Sequence, residues 1–436
     1  MSVKEPVLAT FPPRSWRSLA GSLQTPGNSK LLGGSVVMLA GSTFVSLVNF
    51  GYNVAVARML GAAAFSQAAV AVTLLMLISS ITLAFQLVCA KFVARSETPG
   101  QKAYIFRTLR RKAWAVGLVL GSLMFASSGV ISDYLRLPSR NLIVALAVGM
   151  AFYIPVGVKR GALQGTCQFK KFSGNMILET VTKFVFAIIL VQLGYGVFGA
   201  VLAIAISVVM AYFVPGNGSE LSAKSEAADP GSAREGLQAI LFFIGQVIIN
   251  NVDIVMVKHF FRPDEAGLYA AVALVGRVLY FAAWSVVSAM FPISAAARER
   301  DRNDHVLAIP MAIVAGLTLL FMGALALMPD FILHTVFGSG FNTRGGGADG
   351  LLAMYAAATG GYALSVVMMA YEISRRIANT AWLQLVVSGL VVAGISMFHG
   401  SLREVVVVQQ VLMVLLFVSV AIPFFLARRR PVQEAA

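Results

Sequence analysis

Apolar runs on the order of 20 residues, each long enough to cross a bilayer, recur from residue 35 to residue 425 with only short polar breaks between them. Their limits predict twelve helical spans, over residues 35–56, 67–90, 113–131, 141–158, 175–193, 197–214, 236–257, 267–291, 306–328, 351–372, 381–398 and 404–426. Stretches such as "VVVVQQVLMVLLFVSVAIPFFLA" are continuously apolar, whereas a membrane barrel would need alternating strands of roughly ten residues. The pattern therefore predicts an all-α, polytopic membrane protein. One break differs from the rest: residues 215–235, "PGNGSELSAKSEAADPGSARE", are rich in Gly, Ser, Pro, Ala and acids and read as a linker. It divides the chain into an N-terminal segment (1–34), an N-lobe of six spans (35–214), the linker, a C-lobe of six spans (236–426) and a tail (427–436).

Composition agrees with a bilayer as solvent. Of 436 residues, 58% are hydrophobic and 12% charged, too little polar surface to coat a soluble particle. The net charge of +15 is first a topology signal. With the N-terminus inside, 25 of the 34 lysines and arginines fall on inner segments, seven on outer ones and two within spans. That asymmetry places both termini in the cytoplasm, and one missed span would scramble it. The runs "RTLRRK" and "ARRRP" then orient the chain and meet anionic lipid heads; nothing suggests nucleic acid. The first span follows about thirty polar residues and is too long for a cleavable signal, so it reads as a retained helix.

The lobes echo one another. Residues 53–66, "NVAVARMLGAAAFS", and residues 253–267, "DIVMVKHFFRPDEAG", both carry a polar residue, apolar ones and then a base near the outer end of the first span of their lobe. An even number of spans separates them, so the lobes are parallel repeats about an axis along the membrane normal. The first stretch resembles the "A-R-x-L-G-x-x-x-F" signature of bacterial polysaccharide-biosynthesis membrane proteins. A later one, "NNVDIVMVKHF" followed by "AGLYAAVALVGRVLYFAAWSVVSAMFPISA", looks like that family's seventh and eighth helices, with Asn251, Asp253, Gly267, Tyr269, Ala270 and Pro292 at the recurring positions. These proteins belong to the multidrug/oligosaccharidyl-lipid/polysaccharide exporter superfamily and include O-antigen flippases. The resemblance implies a V-shaped pair of lobes in the bacterial inner membrane that moves a polyprenyl-pyrophosphate-linked glycan from the inner to the outer leaflet. It implies as partners that glycan, membrane lipids, a proton or sodium counter-ion and glycan polymerase or assembly machinery. No cofactor is expected.

Enzyme motifs are lacking. The chain has no G-x-x-x-x-G-K-[ST] and no H-E-x-x-H, its four histidines show no metal-ligand spacing, and "FGSGFNTRGGGADG" reads as an outer connector. Transport leaves other traces, namely polar groups inside spans. Lys183 and Arg277 each lie about ten residues into a span, near the midplane, one per lobe. A base there costs roughly 2.5–3.5 kcal/mol on insertion scales, which implies a partner or a wet cavity. For Lys183 the partner could be Glu179, one helical turn away. Arg277 has none in its own span and shares a face with Tyr269, Ala273, Tyr280 and Trp284. A guanidinium among aromatic rings can hold a pyrophosphate by paired hydrogen bonds while the rings stack on sugars. The first span carries Asn49 and Asn53 on a stripe with Ser42 and Ser46, and the seventh carries Gln246, Asn250 and Asp253. Such groups either glue helices or line a cavity, with Asp253 a candidate proton or sodium site that could instead pair with Arg277 or Lys258. Arg58 is a candidate pyrophosphate ligand or an interfacial anchor.

These features favour a lipid-linked oligosaccharide flippase. A drug or cation antiporter of the same superfamily would favour acidic cavities, while the two midplane charges here are basic. Lipid II flippases resemble a fourteen-helix arrangement against twelve here. A membrane glycan polymerase or ligase would carry large outer loops, and the longest here, residues 329–350, is short.

Overall fold

The computed structural model describes residues 26–214, 226, 244–296, 305–341, 350–374, 380 and 382–429. The first 25 residues, the linker apart from Glu226, the glycine-rich residues 342–349 and the tail from residue 430 lie outside the described residues. The N-lobe consists of α1 (Pro26–Arg95), α2 (Pro99–Ala126), the short α3 (Ser128–Tyr134), α4 (Asn141–Gly165), α5 (Phe169–Leu190), a π turn (Val191–Tyr195) and α6 (Gly196–Phe213). In the C-lobe, helical residues 244–249 lead to α7 (Val252–Phe260), α8 (Pro263–Ala296), α9 (His305–Leu327), α10 (Pro329–Phe337), α11 (Leu351–Ser374), α12 (Leu383–Met397) and α13 (Leu402–Arg429).

At 70 residues, α1 is far too long for one crossing. It turns back at Gly61, whose φ of 77° and ψ of 173° only glycine adopts without strain, and so supplies the first and second spans. The fifth and sixth spans join the same way, through the π turn with Gly194 at φ 90°. The third is α2 with α3, bent by 61°. Each of the twelve predicted spans thus has a helical counterpart. Two departures matter below: the fourth span runs on to Gly165 rather than ending at 158, and the seventh is broken at Asn250–Asn251.

The repeat is visible in which helices touch. In the N-lobe the fourth span, α4, packs against the second-span arm of α1, against α2 and against α6; in the C-lobe its counterpart α11 packs against α8, α9 and α13. The same span order therefore builds both lobes. Without a hydrophobic force between helices in lipid, close packing needs small residues, and α4 provides them. Gly157, Gly161 and Gly165 meet the carbonyls of Thr82, Gln86 and Ala90, so that an added Cβ would come within 2.5, 2.2 and 2.6 Å of them. Both sets repeat every four residues, which makes one continuous ridge-to-ridge contact.

The lobes meet at the end that the lysine and arginine asymmetry assigns to the outside. Lys258 is 2% exposed and donates to Ser66 Oγ at 2.9 Å. The His259 ring stacks on Tyr134 at 3.9 Å, with Nδ1 2.6 Å from the Tyr134 carbonyl. Phe65 packs on Phe337 and Phe341. Gly267 lies so close to α1 that a Cβ would stand 1.9 Å from the Ala62 carbonyl. The two lobes are therefore closed against each other at this end. Gly267→Val should force this seam apart. Spin labels on the exposed Met59 and Phe331 should then read a longer distance, and an unchanged distance would refute the seam as the closure.

Candidate functional site

Asparagine makes the break in the seventh span. Asn250 Nδ2 and Asn251 Nδ2 each donate at 2.7 Å to the carbonyl four residues back, of Gln246 and Val247, and so satisfy acceptors that the interrupted helix leaves open. The chain restarts at Val252 with Asp253 in its first turn. One oxygen of Asp253 accepts from Arg277 at 3.2 Å, the other from the hydroxyls of Tyr269 and Tyr355, each at 2.9 Å. Gln409 donates to the Tyr269 oxygen at 2.6 Å, and Arg277 also donates to Asn251 Oδ1 at 3.3 Å. Four spans are thereby tied together around one ion pair whose side chains are 12% and 3% exposed. Arg277 is thus paired with Asp253, one of the alternatives that the sequence left open. Its Nε is buried with no hydrogen-bond partner among the described residues.

Lys183 presents the opposite case. Its expected neighbour Glu179 turns instead to Arg160, at 2.5 Å, and Arg160 also donates to Asn175 Oδ1 at 2.8 Å. Geometry explains the correction: α4 continues through Lys159 and Arg160, which sequence placed in an inner loop, and buries both against α5 and α6. Lys159 donates to the Tyr212 carbonyl at 2.6 Å, capping the end of α6. Lys183 is left donating to Asn49 Oδ1, with its ammonium 4.8 Å from the centre of the Tyr52 ring. No carboxylate lies within ion-pair distance of it among the described residues. Exchanging the two charges, by Glu179→Lys with Lys183→Glu, would set a second cation against Arg160 and lower the melting temperature. An unchanged Tm would mean that Arg160 does not depend on Glu179.

The remaining candidates divide between these two centres and the seam. Asn53 donates to the Asn49 carbonyl at 2.8 Å, and both are half-buried below the exposed Ser42 and Ser46. On α8 the rings of Tyr280 and Trp284 stack at 6.4 Å, and Tyr280 stacks on Tyr362 at 5.7 Å. Gln246 is buried nearby in sequence to the break, and its Nε2 has no partner among the described residues. Arg58 is exposed, and its guanidinium donates to the carbonyls of Thr335 and Val336 at the end of α10, so its contacts belong to the seam. Asn49 lies about 18 Å along α1 from Gly61 and Arg277 about 15 Å along α8 from Gly267, at 1.5 Å per residue. Since Gly267 abuts Ala62, the two centres sit at similar depth beneath the closed end.

Residues 55–344 match the family of polysaccharide biosynthesis proteins, well over half of the chain. The chain belongs to this family. Among curated proteins, none matches it. Solved structures share the fold of this polysaccharide biosynthesis protein. A multidrug resistance MATE family transporter of the MOP superfamily, in an inward-facing conformation, superposes with a TM-score of 0.68 at 13% identity, over 91% of this chain and 99% of that one. The lipid II flippase MurJ, in an inward closed conformation, gives 0.69 at 12% identity, over 91% and 88%. The MATE multidrug transporter DinF-BH gives 0.63 at 17% identity, over 94% and 97%. At such identities the likeness is one of fold.

Sequence reasoning missed Arg160, Tyr52, Tyr355 and Gln409. A signal existed for each: polar or charged groups inside or beside long apolar spans, and in "GVKRGALQG" a four-residue glycine spacing that continues the helix through the two bases.

Proposed function

We propose that this membrane protein is a flippase that carries a polyprenyl-pyrophosphate-linked glycan from the cytoplasmic to the outer leaflet of the bacterial inner membrane by alternating access. The observation that carries the reading is Lys183, a cation held in mid-span by an amide and an aromatic ring with no carboxylate in ion-pair contact among the described residues, its neighbour Glu179 being engaged by Arg160. Burying a charge without a partner is expensive, so its retention points to a partner that comes and goes. An anionic pyrophosphate fits, and the rings of Tyr280 and Trp284 offer faces for the attached sugars. Cationic cargo fits less well, since Asp253 is already neutralised by Arg277. Closure at the end read as the outer one suits a transporter that takes its cargo from the cytoplasmic side, where the lipid-linked glycan is made. Outward movement of an anion across an inside-negative membrane gains about 2.3 kcal/mol per charge per 100 mV.

The ion pair supplies a place for coupling. A proton or sodium ion taken up by Asp253 would release Arg277 toward the pyrophosphate beside Lys183. Asp253→Asn keeps the acceptor for the two tyrosines while removing the charge, so it should flatten the pH or sodium dependence of transport. An unchanged dependence would remove Asp253 from that role. In cells, depletion of the protein should leave its lipid-linked glycan on the inner leaflet, out of reach of an externally added impermeant oxidant; full reaction from outside would overturn the reading.

A further inference from the structure

Lys258 stands one residue beyond the seventh predicted span, where the two lobes close on each other. Its side chain is buried, yet its hydrogen bond among the described residues goes to a neutral group of the other lobe, Ser66 Oγ. The Ser66 hydroxyl gives its own proton to the Ala63 carbonyl at 2.6 Å and therefore accepts from Lys258. A neutral amine still has an N–H for that bond. The contact thus survives loss of the charge, while the cost of burying the charge disappears.

The elements packed around Lys258 bring other charges to this end, but no carboxylate lies within ion-pair distance of it among the described residues. In the N-lobe, Arg58 donates to carbonyls of α10, Arg136 sets a like charge against the ammonium, and Asp133 is exposed three residues before Arg136. In the C-lobe, Asp264 pairs with Arg262, Glu265 accepts the Arg262 backbone N–H, and Glu404 accepts that of Gly400. His259 keeps Nδ1 on the Tyr134 carbonyl and His399 stacks on Phe260, while Asp330 and His334 belong to α10 and Arg403 to the start of α13. Burial first, and Arg136 second, pull the Lys258 pKa down to about 8, against ~10.4 for a lysine in water. The closed seam therefore holds this proton less tightly than an open, hydrated one, so rising pH favours closure across that interval. We propose that the outer seam is a proton-linked latch, in which closure of the lobes is coupled to loss of a proton from Lys258 and uptake of a proton favours their parting. The latch rests on the reading that the lobes move by alternating access, and it names the group through which acidity on the outer side acts on that movement.

Electron-spin distances between labels on Met59 and Phe331, read for the full chain in nanodiscs without cargo, test the latch as pH is raised. In the wild type the ratio of long to short distances should fall roughly 50- to 100-fold between about pH 8 and about pH 10.5. Lys258→Met, which keeps an unbranched apolar stem and removes the titrating group, should hold the short distance throughout. Lys258→Arg, charged at every pH, should lengthen it throughout. Arg136→Gln changes an exposed side chain and keeps the test valid if the Lys258 variants misfold. It removes the like charge, so the midpoint of the wild-type response should move to higher pH. A wild-type distance that does not change over this range, a response that persists in Lys258→Met, or a midpoint indifferent to Arg136→Gln would overturn the proposal. Because no cargo is present, the two readings fail separately: a seam that answers to pH in a protein that moves no glycan lipid sinks only the cargo, and a pH-blind seam in one that does sinks only the latch.

Discussion

Lys183→Gln should lower the initial rate of glycan-lipid translocation about 10- to 100-fold while leaving the protein as stable as the wild type or more so. A hydrogen bond to a charged group is worth about 1.5–3 kcal/mol, which converts to that range when it is lost from the transition state for movement. The second half of the expectation is the more discriminating. Lys183 meets an amide oxygen and a ring face but no carboxylate in direct contact among the described residues, Glu179 being turned to Arg160, so the fold bears much of its desolvation uncompensated. Removing the charge relieves that cost. Lys183→Arg, which keeps the cation, should retain part of the rate. Initial rates in proteoliposomes, paired with melting temperatures in the same detergent, separate the outcomes. A variant that loses stability but still transports would make Lys183 a structural residue.

The Asp253–Arg277 pair should behave in the reverse way. Asp253→Ala strands a guanidinium that is buried among α7, α8 and α11, and Arg277→Ala strands a carboxylate held by two tyrosine hydroxyls. Breaking a buried pair from one side costs about 3–5 kcal/mol, a large share of the stability of most proteins. The double replacement removes both charges and should recover much of the loss, so the coupling energy should be large and favourable. Thermal unfolding of the four proteins closes the cycle. Additive losses would show that the two side chains do not stabilise one another, and with that the proposed release of Arg277 by ion uptake would fall.

What the sequence made legible, and what it hid, follows from the range of the interactions. Apolar spans and their order within each lobe are local or periodic features, and the helix-to-helix pattern follows that order. Partner choice is not local. Glu179 stands one turn from Lys183, yet Arg160 reaches it from another helix because α4 runs one and a half to two turns beyond the residues that read as apolar. The basic pair in "GVKRGALQG" looked like a loop on charge alone, while its glycine spacing recorded the close contact with α1. Arg277 lies 24 residues from Asp253, and only the fold of α7 against α8 decides between that partner and Lys258. Lys258, for its part, is spent on the seam with Ser66. The short α10 was hidden inside an outer loop, and with it the carbonyls that take the guanidinium of Arg58.

The central claim is that an anionic, lipid-linked glycan is the cargo. Its most direct test is translocation of a fluorescent polyprenyl-pyrophosphate oligosaccharide by the wild-type protein in proteoliposomes, measured beside a cationic dye under the same ion gradients. The account predicts translocation of the glycan lipid, faster when the side from which it leaves is negative, with no transport of the dye. Dye transport without movement of the glycan lipid, by a folded protein under any proton or sodium gradient, would contradict it and make this chain a cation exporter.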